Sequence, residues 1–172
     1  MSIFAIDKFD QNEWFVIIGA VVTYTGLLLL PKRLPTSTTL LLCIWAFTTP
    51  KFYDFTLGGG LFDYYDVNDS PRYCIMDLVS YFFFAPFGYF FIYFYEWLRA
   101  RGRAVVFYIL GWSLVAVGVE WLMVYFHVLT YKNGYTIAYS FVIYLFTQSM
   151  TLVFYHWLTR PPKQASSDLR TE

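Results

Sequence analysis

Charge is the feature that this sequence has least of. Only 14% of its 172 residues are charged, whereas soluble domains average about 25%. Twelve Lys and Arg balance twelve Asp and Glu to a formal net charge of zero, so the chain offers no basic excess to nucleic acid. With 58% hydrophobic residues, a soluble domain would expose large apolar patches. The composition therefore predicts a protein whose main partner is the lipid bilayer.

Cysteine, histidine and catalytic motifs are scarce as well. Two cysteines, Cys43 and Cys74, form neither a disulfide framework nor a metal cluster. The sequence contains no HExxH, GxSxG, P-loop or dinucleotide-binding motif. The three glycines at 58–60 follow no predicted strand and are not expected to hold phosphate. We therefore predict a protein that is not an enzyme, with no catalytic residue, no metal site and no cofactor.

Long apolar runs predict an all-α transmembrane bundle. A bilayer core about 30 Å thick requires about 20 helical residues. Five segments are long enough, provided that the second continues through Pro50 and the third through Pro86: residues 14–30, 36–55, 77–97, 104–126 and 136–157. Asp10 and Glu13 are spaced as a capping box before the first. We expect a single membrane domain over residues 1–160 and a polar cytoplasmic tail over 161–172.

The distribution of basic residues predicts the orientation of this bundle. Five spans would place eight Lys and Arg on one side of the membrane: Lys32, Arg33, Arg99, Arg101, Arg103, Arg160, Lys163 and Arg170. The other side would hold four: Lys8, Lys51, Arg72 and Lys132. We therefore expect the N-terminus outside and the C-terminus in the cytoplasm. Acids precede the first apolar run, which predicts a retained helix rather than a cleaved signal.

Glu120 is the strongest candidate for a functional residue. It lies near the outer end of the fourth predicted helix, about 6 Å inside the apolar core by helical rise, where an ionisable residue is costly. Lys51 is predicted at a similar depth and would be its ion-pair partner. If Lys51 instead extends outward, Glu120 is left to Ser140, Tyr139 or Arg72. The acid would serve helix packing, proton or ion handling, or acid catalysis.

The fourth helix also shows two distinct faces. Ser113, Glu120 and His127 recur every seven residues on one face, with His127 expected at the membrane interface. Gly111 and Gly118 lie on another face, where small residues permit close helix approach. This pattern predicts that the fourth helix is central in the bundle.

A polar stripe runs along the fifth predicted helix. Such a stripe must face protein or water rather than lipid. Interhelical hydrogen bonds or a hydrated pathway would each explain it. Its members are Ser140, Tyr144, Gln148, Thr151 and Tyr155.

An acidic cluster occupies the loop between the second and third predicted helices. Its members, Asp63, Asp66, Asn68 and Asp69, have oxygen ligands that a hard cation would accept, but their spacing is not that of an EF-hand. Turn formation and helix capping are the alternative. We predict that Arg72 and the N-terminus of the third helix order this loop without a metal.

Several segments resemble a family of small multi-pass membrane proteins from spore-forming Gram-positive bacteria. They are YDVNDSPRYCIMD at 65–77, APFGYFFIY at 85–93, YILGWS at 108–113, Glu-Trp at 120–121, YKNGYTIAYSF at 131–141 and QSMTLVFYHW at 148–157. The resemblance covers about residues 27–160. It implies a bacterial plasma-membrane protein of about five helices, and it implies no catalytic residue.

The function that follows is a non-enzymatic integral membrane protein. It is expected to act through partners, either other membrane proteins or a second copy of itself, in envelope or spore-membrane physiology. The alternative is a small solute or ion permease subunit that uses Glu120 and the polar stripe of the fifth helix. An intramembrane enzyme would require several convergent polar groups in one pocket.

Overall fold

A computed structural model describes residues 10–58, 62–68 and 75–160. Within these ranges the chain is all-α apart from two three-residue strands. The elements in order are α1 Gln11–Leu29, α2 Thr36–Thr56, β1 Tyr65–Val67, α3 Ile75–Leu98, α4 Arg103–Tyr125, β2 Leu129–Tyr131 and α5 Ile137–Leu158. Four helices, α1, α3, α4 and α5, are long and apolar enough to cross a membrane. By length and composition, these four helices are compatible with an integral membrane protein.

The second helix differs from the other four in composition. It has 21 residues, enough length for a span, but contains Lys51, Asp54 and several threonines. It continues through Pro50, as α3 continues through Pro86. The capping box before α1 is confirmed, because the Asp10 backbone N–H donates to the Glu13 carboxylate at 2.9 Å.

The two strands were not predicted, and they bring two loops together. They pair antiparallel, with Tyr65 opposite Tyr131 and Val67 opposite Leu129. Backbone bonds extend the ladder on both sides, since Asn68 N–H donates to the Val128 carbonyl at 2.8 Å. The α2–α3 and α4–α5 connections therefore meet at one end of the bundle, which we call the sheet end.

The opposite end, here the turn end, contains the α1–α2 and α3–α4 turns and the end of α5. Six exposed basic residues lie there within the described chain: Lys32, Arg33, Arg99, Arg101, Arg103 and Arg160. An apolar cluster beneath them joins α2, α3, α4 and α5, with Leu42, Phe91, Ile92, Tyr108 and Leu152 among its members.

The central helix is α3, not α4 as the sequence pattern suggested. In α3, 61% of the most apolar stretch is buried, against 17% in α1, α4 and α5. The close approach also occurs elsewhere: a Cβ added at Gly88 of α3 would lie 2.5 Å from the Leu42 carbonyl of α2, while one added at Gly111 or Gly118 would meet nothing within 4 Å. A shared helical face shows only that residues are aligned, and does not identify the neighbour that they meet.

Helices α3 and α4 touch at the turn end and face a cavity nearer the sheet end. At the turn end the Tyr108 hydroxyl donates to the Phe91 carbonyl, and the Trp112 ring packs edge-on against Phe91 with centroids 5.8 Å apart. Beyond this contact, Ser80 and Phe84 of α3 and Ala116 of α4 line the cavity.

Candidate functional site

The cavity has a volume of about 190 Å³ and lies among α2, α3, α4 and α5. The strands β1 and β2 contribute its lining at the sheet end through Tyr65 and Leu129. Two carboxylates line it, Asp54 from α2 and Glu120 from α4. Among the described residues around it there is no Lys, Arg or His. The cavity is therefore acidic at one end and mostly apolar elsewhere.

Hydroxyl groups from α5 and β2 hold one oxygen of Glu120. The side chain is only 5% exposed, and its Oε1 accepts hydrogen bonds from the Tyr131 hydroxyl and the Ser140 hydroxyl, both at 2.6 Å. Two donors therefore converge on the same carboxylate oxygen. The Tyr135 hydroxyl lies 2.9 Å from Ser140 Oγ and donates to it, because the Ser140 proton is engaged with Glu120.

The other oxygen of Glu120 has no such support. Glu120 Oε2 is buried without a hydrogen-bond partner, and so is the hydroxyl of Ser80, which is 1% exposed. Both residues line the cavity. Buried polar groups are nearly always satisfied in folded proteins. Two further unpartnered atoms, Asn68 Oδ1 and Ser113 Oγ, belong to residues that do not line the cavity.

Tyr65 donates to the second carboxylate of the cavity, Asp54. Its hydroxyl donates to Asp54 Oδ1 at 2.9 Å, and Tyr81 also interacts with the Asp54 carboxylate. Burial raises the pKa of Tyr65 well above its ordinary value, and the negative charges of Asp54 and Glu120 raise it further. Burial likewise raises the pKa of Tyr131, and its hydrogen bond to Glu120 adds to the effect. Both phenols therefore stay protonated and keep donating at physiological pH.

The polar stripe of α5 faces this cavity along most of its length. Ser140, Tyr144, Gln148 and Thr151 all line it. Two of the contacts tie α5 to α2: Tyr53 bonds to Thr147 at 2.6 Å, and the Trp45 indole donates to Thr151 at 3.0 Å. The last member, Tyr155, lies at the turn end and donates to Glu96 at 2.9 Å.

The predicted ion pair between Lys51 and Glu120 does not form. Lys51 is exposed on α2 and does not line the cavity, while Glu120 takes its hydrogen bonds from hydroxyl groups. Equal depth along two helices does not determine the rotation of either helix about its axis, and a lysine can extend its ammonium towards water. The acid of α2 that does line the cavity is Asp54, three residues after Lys51, and the sequence analysis did not predict it there.

The other predicted members of the polar site are placed differently. His127 is exposed and lies beyond the end of α4 with a φ of 58°. Ser113 is fully buried but does not line the cavity. Arg72 lies outside the described residues.

The acidic loop contacts Lys132, which the sequence analysis placed among the four basic residues on the outer side and not in the loop's environment. Lys132 Nζ lies 2.5 Å from an Asp66 oxygen and 3.6 Å from an Asp63 oxygen. The hydrogen bond to Asp66 and the nearby negative charges raise the pKa of Lys132. Asn68 is buried and donates to Asp77 Oδ1 at 2.6 Å, while Asp69 lies outside the described residues.

No metal-binding group of three or more His, Cys, Asp or Glu occurs within residues 10–58, 62–68 and 75–160. Comparison with protein-family models, with curated proteins and with solved structures finds no match to this chain.

Proposed function

We propose that this chain is a multi-pass protein of the bacterial plasma membrane that works by binding a small ligand in the cavity among α2, α3, α4 and α5. The observation that supports this most directly is the pair of buried, unpartnered polar atoms in its wall, Glu120 Oε2 and Ser80 Oγ. Ligand sites in proteins are typically concave and apolar with a few convergent polar groups. An ionisable residue inside a membrane protein is a functional candidate by default.

In this proposal the protein binds its ligand and then acts on partner proteins, and it does not convert a substrate. The tyrosine and serine hydroxyls nearest to the acids donate to carboxylates, which gives each of them a role in orienting an acid of the cavity. The expected partners are other membrane proteins or a second copy of the chain, in envelope or spore-membrane physiology. The five helices would all span, with the sheet end outside and the basic turn end in the cytoplasm.

Conduction of a solute or ion is less well supported than binding. The polar lining extends to Thr151, whose hydroxyl accepts a hydrogen bond from the Trp45 indole. The apolar cluster of Leu42, Phe91, Ile92 and Leu152 lies towards the turn end. A pathway would have to open this packing.

Filling the cavity tests the proposal. Ala116→Phe places a ring in the cavity, while Leu114→Phe places the same ring at a site that is 61% exposed on the same helix. Each protein would be purified in lipid nanodiscs, and co-purified small molecules would be measured by native mass spectrometry. We expect a bound molecule in wild type and Leu114→Phe that is lost in Ala116→Phe. Identical spectra for all three proteins would refute a ligand in this cavity.

A further inference from the structure

We infer that the ligand of this cavity is a protonated amine with a small apolar body. This inference rests on the proposed function and specifies the chemical class of the ligand. It follows from three properties of the wall: its charge, its unpartnered atoms and its size.

The charge of the wall favours a cation. Asp54 and Glu120 both line the cavity, and the described lining residues include no basic side chain. An isolated carboxylate in an apolar interior is strongly disfavoured unless a positive charge or hydrogen-bond donors compensate it. Tyr131 and Ser140 donate to Glu120 Oε1, and the Tyr144 side chain also interacts with the Glu120 carboxylate. All three groups are neutral, so no positive charge compensates the acid.

The unpartnered atoms favour a cation that carries N–H groups. Glu120 Oε2 is an acceptor without a donor, and Ser80 Oγ is likewise unpartnered. An ammonium group supplies up to three donors, which suits a carboxylate oxygen together with hydroxyl oxygens. A divalent metal ion would favour several carboxylate ligands in a compact shell, and the described residues contain no group of three or more His, Cys, Asp or Glu.

The remaining wall favours an apolar body of limited size. Most of the lining is apolar and includes Trp45, Phe84, Phe87, Trp112 and Ile143, although α5 adds the polar side chains of Tyr144, Gln148 and Thr151. An apolar cavity of about 150 Å³ accommodates benzene, so about 190 Å³ accommodates one ring with a short aminoalkyl arm. An aromatic ring of this lining would add a cation–π attraction to an ammonium group that lies over its face.

Three matched probes test the inference: 2-phenylethylamine, its neutral analogue 2-phenylethanol, and the anion 3-phenylpropionate. Binding to the full chain in nanodiscs would be measured by calorimetry, with Ala116→Phe used to subtract partition into lipid. We expect the amine to bind at least tenfold more tightly than the alcohol and the anion not to bind. Glu120→Gln should abolish the preference for the amine, while Asp66→Asn, an acid outside the cavity, should preserve it. Asp54→Asn provides a second reading if Glu120→Gln does not fold, and should weaken amine binding at least threefold.

Several results would overturn the inference without affecting the proposed function. Equal affinity for amine and alcohol, tighter binding of the anion, or an amine preference that survives Glu120→Gln and Asp54→Asn would each do so. Failure of all three probes to bind would also overturn it. A co-purified molecule that is lost in Ala116→Phe but contains no basic nitrogen would leave the cavity as a ligand site and refute its preference for a cation.

Discussion

The Ser140 hydroxyl donates a 2.6 Å hydrogen bond to Glu120 Oε1, which joins α5 to α4 across twenty residues of sequence. With Tyr131 donating to the same atom, the acid is held by neutral hydroxyl groups and not by a basic partner. This arrangement positions the carboxylate and leaves Oε2 buried without a hydrogen-bond partner. Hydroxyl donors orient a charge without cancelling it, so the site keeps its capacity to attract a cation.

Removing either hydroxyl should destabilise the bundle. Ser140→Ala or Tyr131→Phe leaves a buried carboxylate short of a donor, which costs about 1–3 kcal/mol. Thermal unfolding in detergent should therefore shift to lower temperature for each variant. In a Glu120→Gln background the same changes should cost less, because the residues are coupled. Tyr139→Phe, at a position 59% exposed on α5, is the control, and an equal loss there would contradict the assignment.

Glycine substitutions should distinguish the true helix contact from the one suggested by sequence. An added methyl at Gly88 would meet the Leu42 carbonyl at 2.5 Å and Ala46 Cβ at 2.8 Å, and such overpacking costs about 1–3 kcal/mol. Gly88→Ala should thus lower the unfolding temperature. Gly111→Ala should be neutral or gain up to about 1 kcal/mol from helix propensity, since nothing lies within 4 Å. The opposite ranking would show that α2 and α3 do not pack through Gly88.

The Lys132–Asp66 contact should make loop stability depend on alkaline pH. Because Asp66 raises the pKa of Lys132 in the folded chain, the contact stabilises fully below the unfolded pKa of about 10.4 and is lost as pH rises through the higher folded value. Lys132→Met should therefore unfold at a lower temperature than wild type at pH 8, with the gap closing above about pH 10.4. Salt should narrow it as well.

The matched control for this contact is Lys51→Met. Lys51 is exposed and forms no ion pair with a described acid within 4.0 Å. The difference in unfolding temperature between Lys51→Met and wild type should therefore stay the same across the pH series. A pH-independent deficit in Lys132→Met would show that the lysine acts through packing alone.

Cysteine labelling should reveal the orientation of the bundle. Asn133 is exposed at the sheet end and Arg101 at the turn end, and the basic turn end is expected in the cytoplasm. In a background with Cys43→Ser and Cys74→Ser, a membrane-impermeant maleimide added to intact cells should label Asn133→Cys and spare Arg101→Cys. Labelling of Arg101→Cys alone would reverse the proposed topology.

Several individual residues of the candidate site can be predicted from the sequence, but the contacts between them cannot. Glu120 stood out because an ionisable residue within an apolar helix is costly, and Ser140 was among its possible partners. The predicted ion pair of Lys51 with Glu120 depends on depth alone, and in the structure Lys51 is exposed. The strands β1 and β2 were missed because three-residue strands are too short to show an alternating pattern. The contact between Lys132 and Asp66 was not predicted, because it depends on the pairing of these two strands.

The sequence by itself determined the all-α character of the chain, the approximate bounds of its helices and the capping box before α1. These features depend on hydrophobicity over about 20 residues and on hydrogen bonds within a few residues of each other, which are local quantities. Only the tertiary structure decided that α3 is central, that Gly88 admits the α2 backbone, and that Asp54 and Glu120 line one cavity. These relationships depend on how each helix is rotated about its axis and on which neighbour it packs against, and a single helix in isolation contains no record of either.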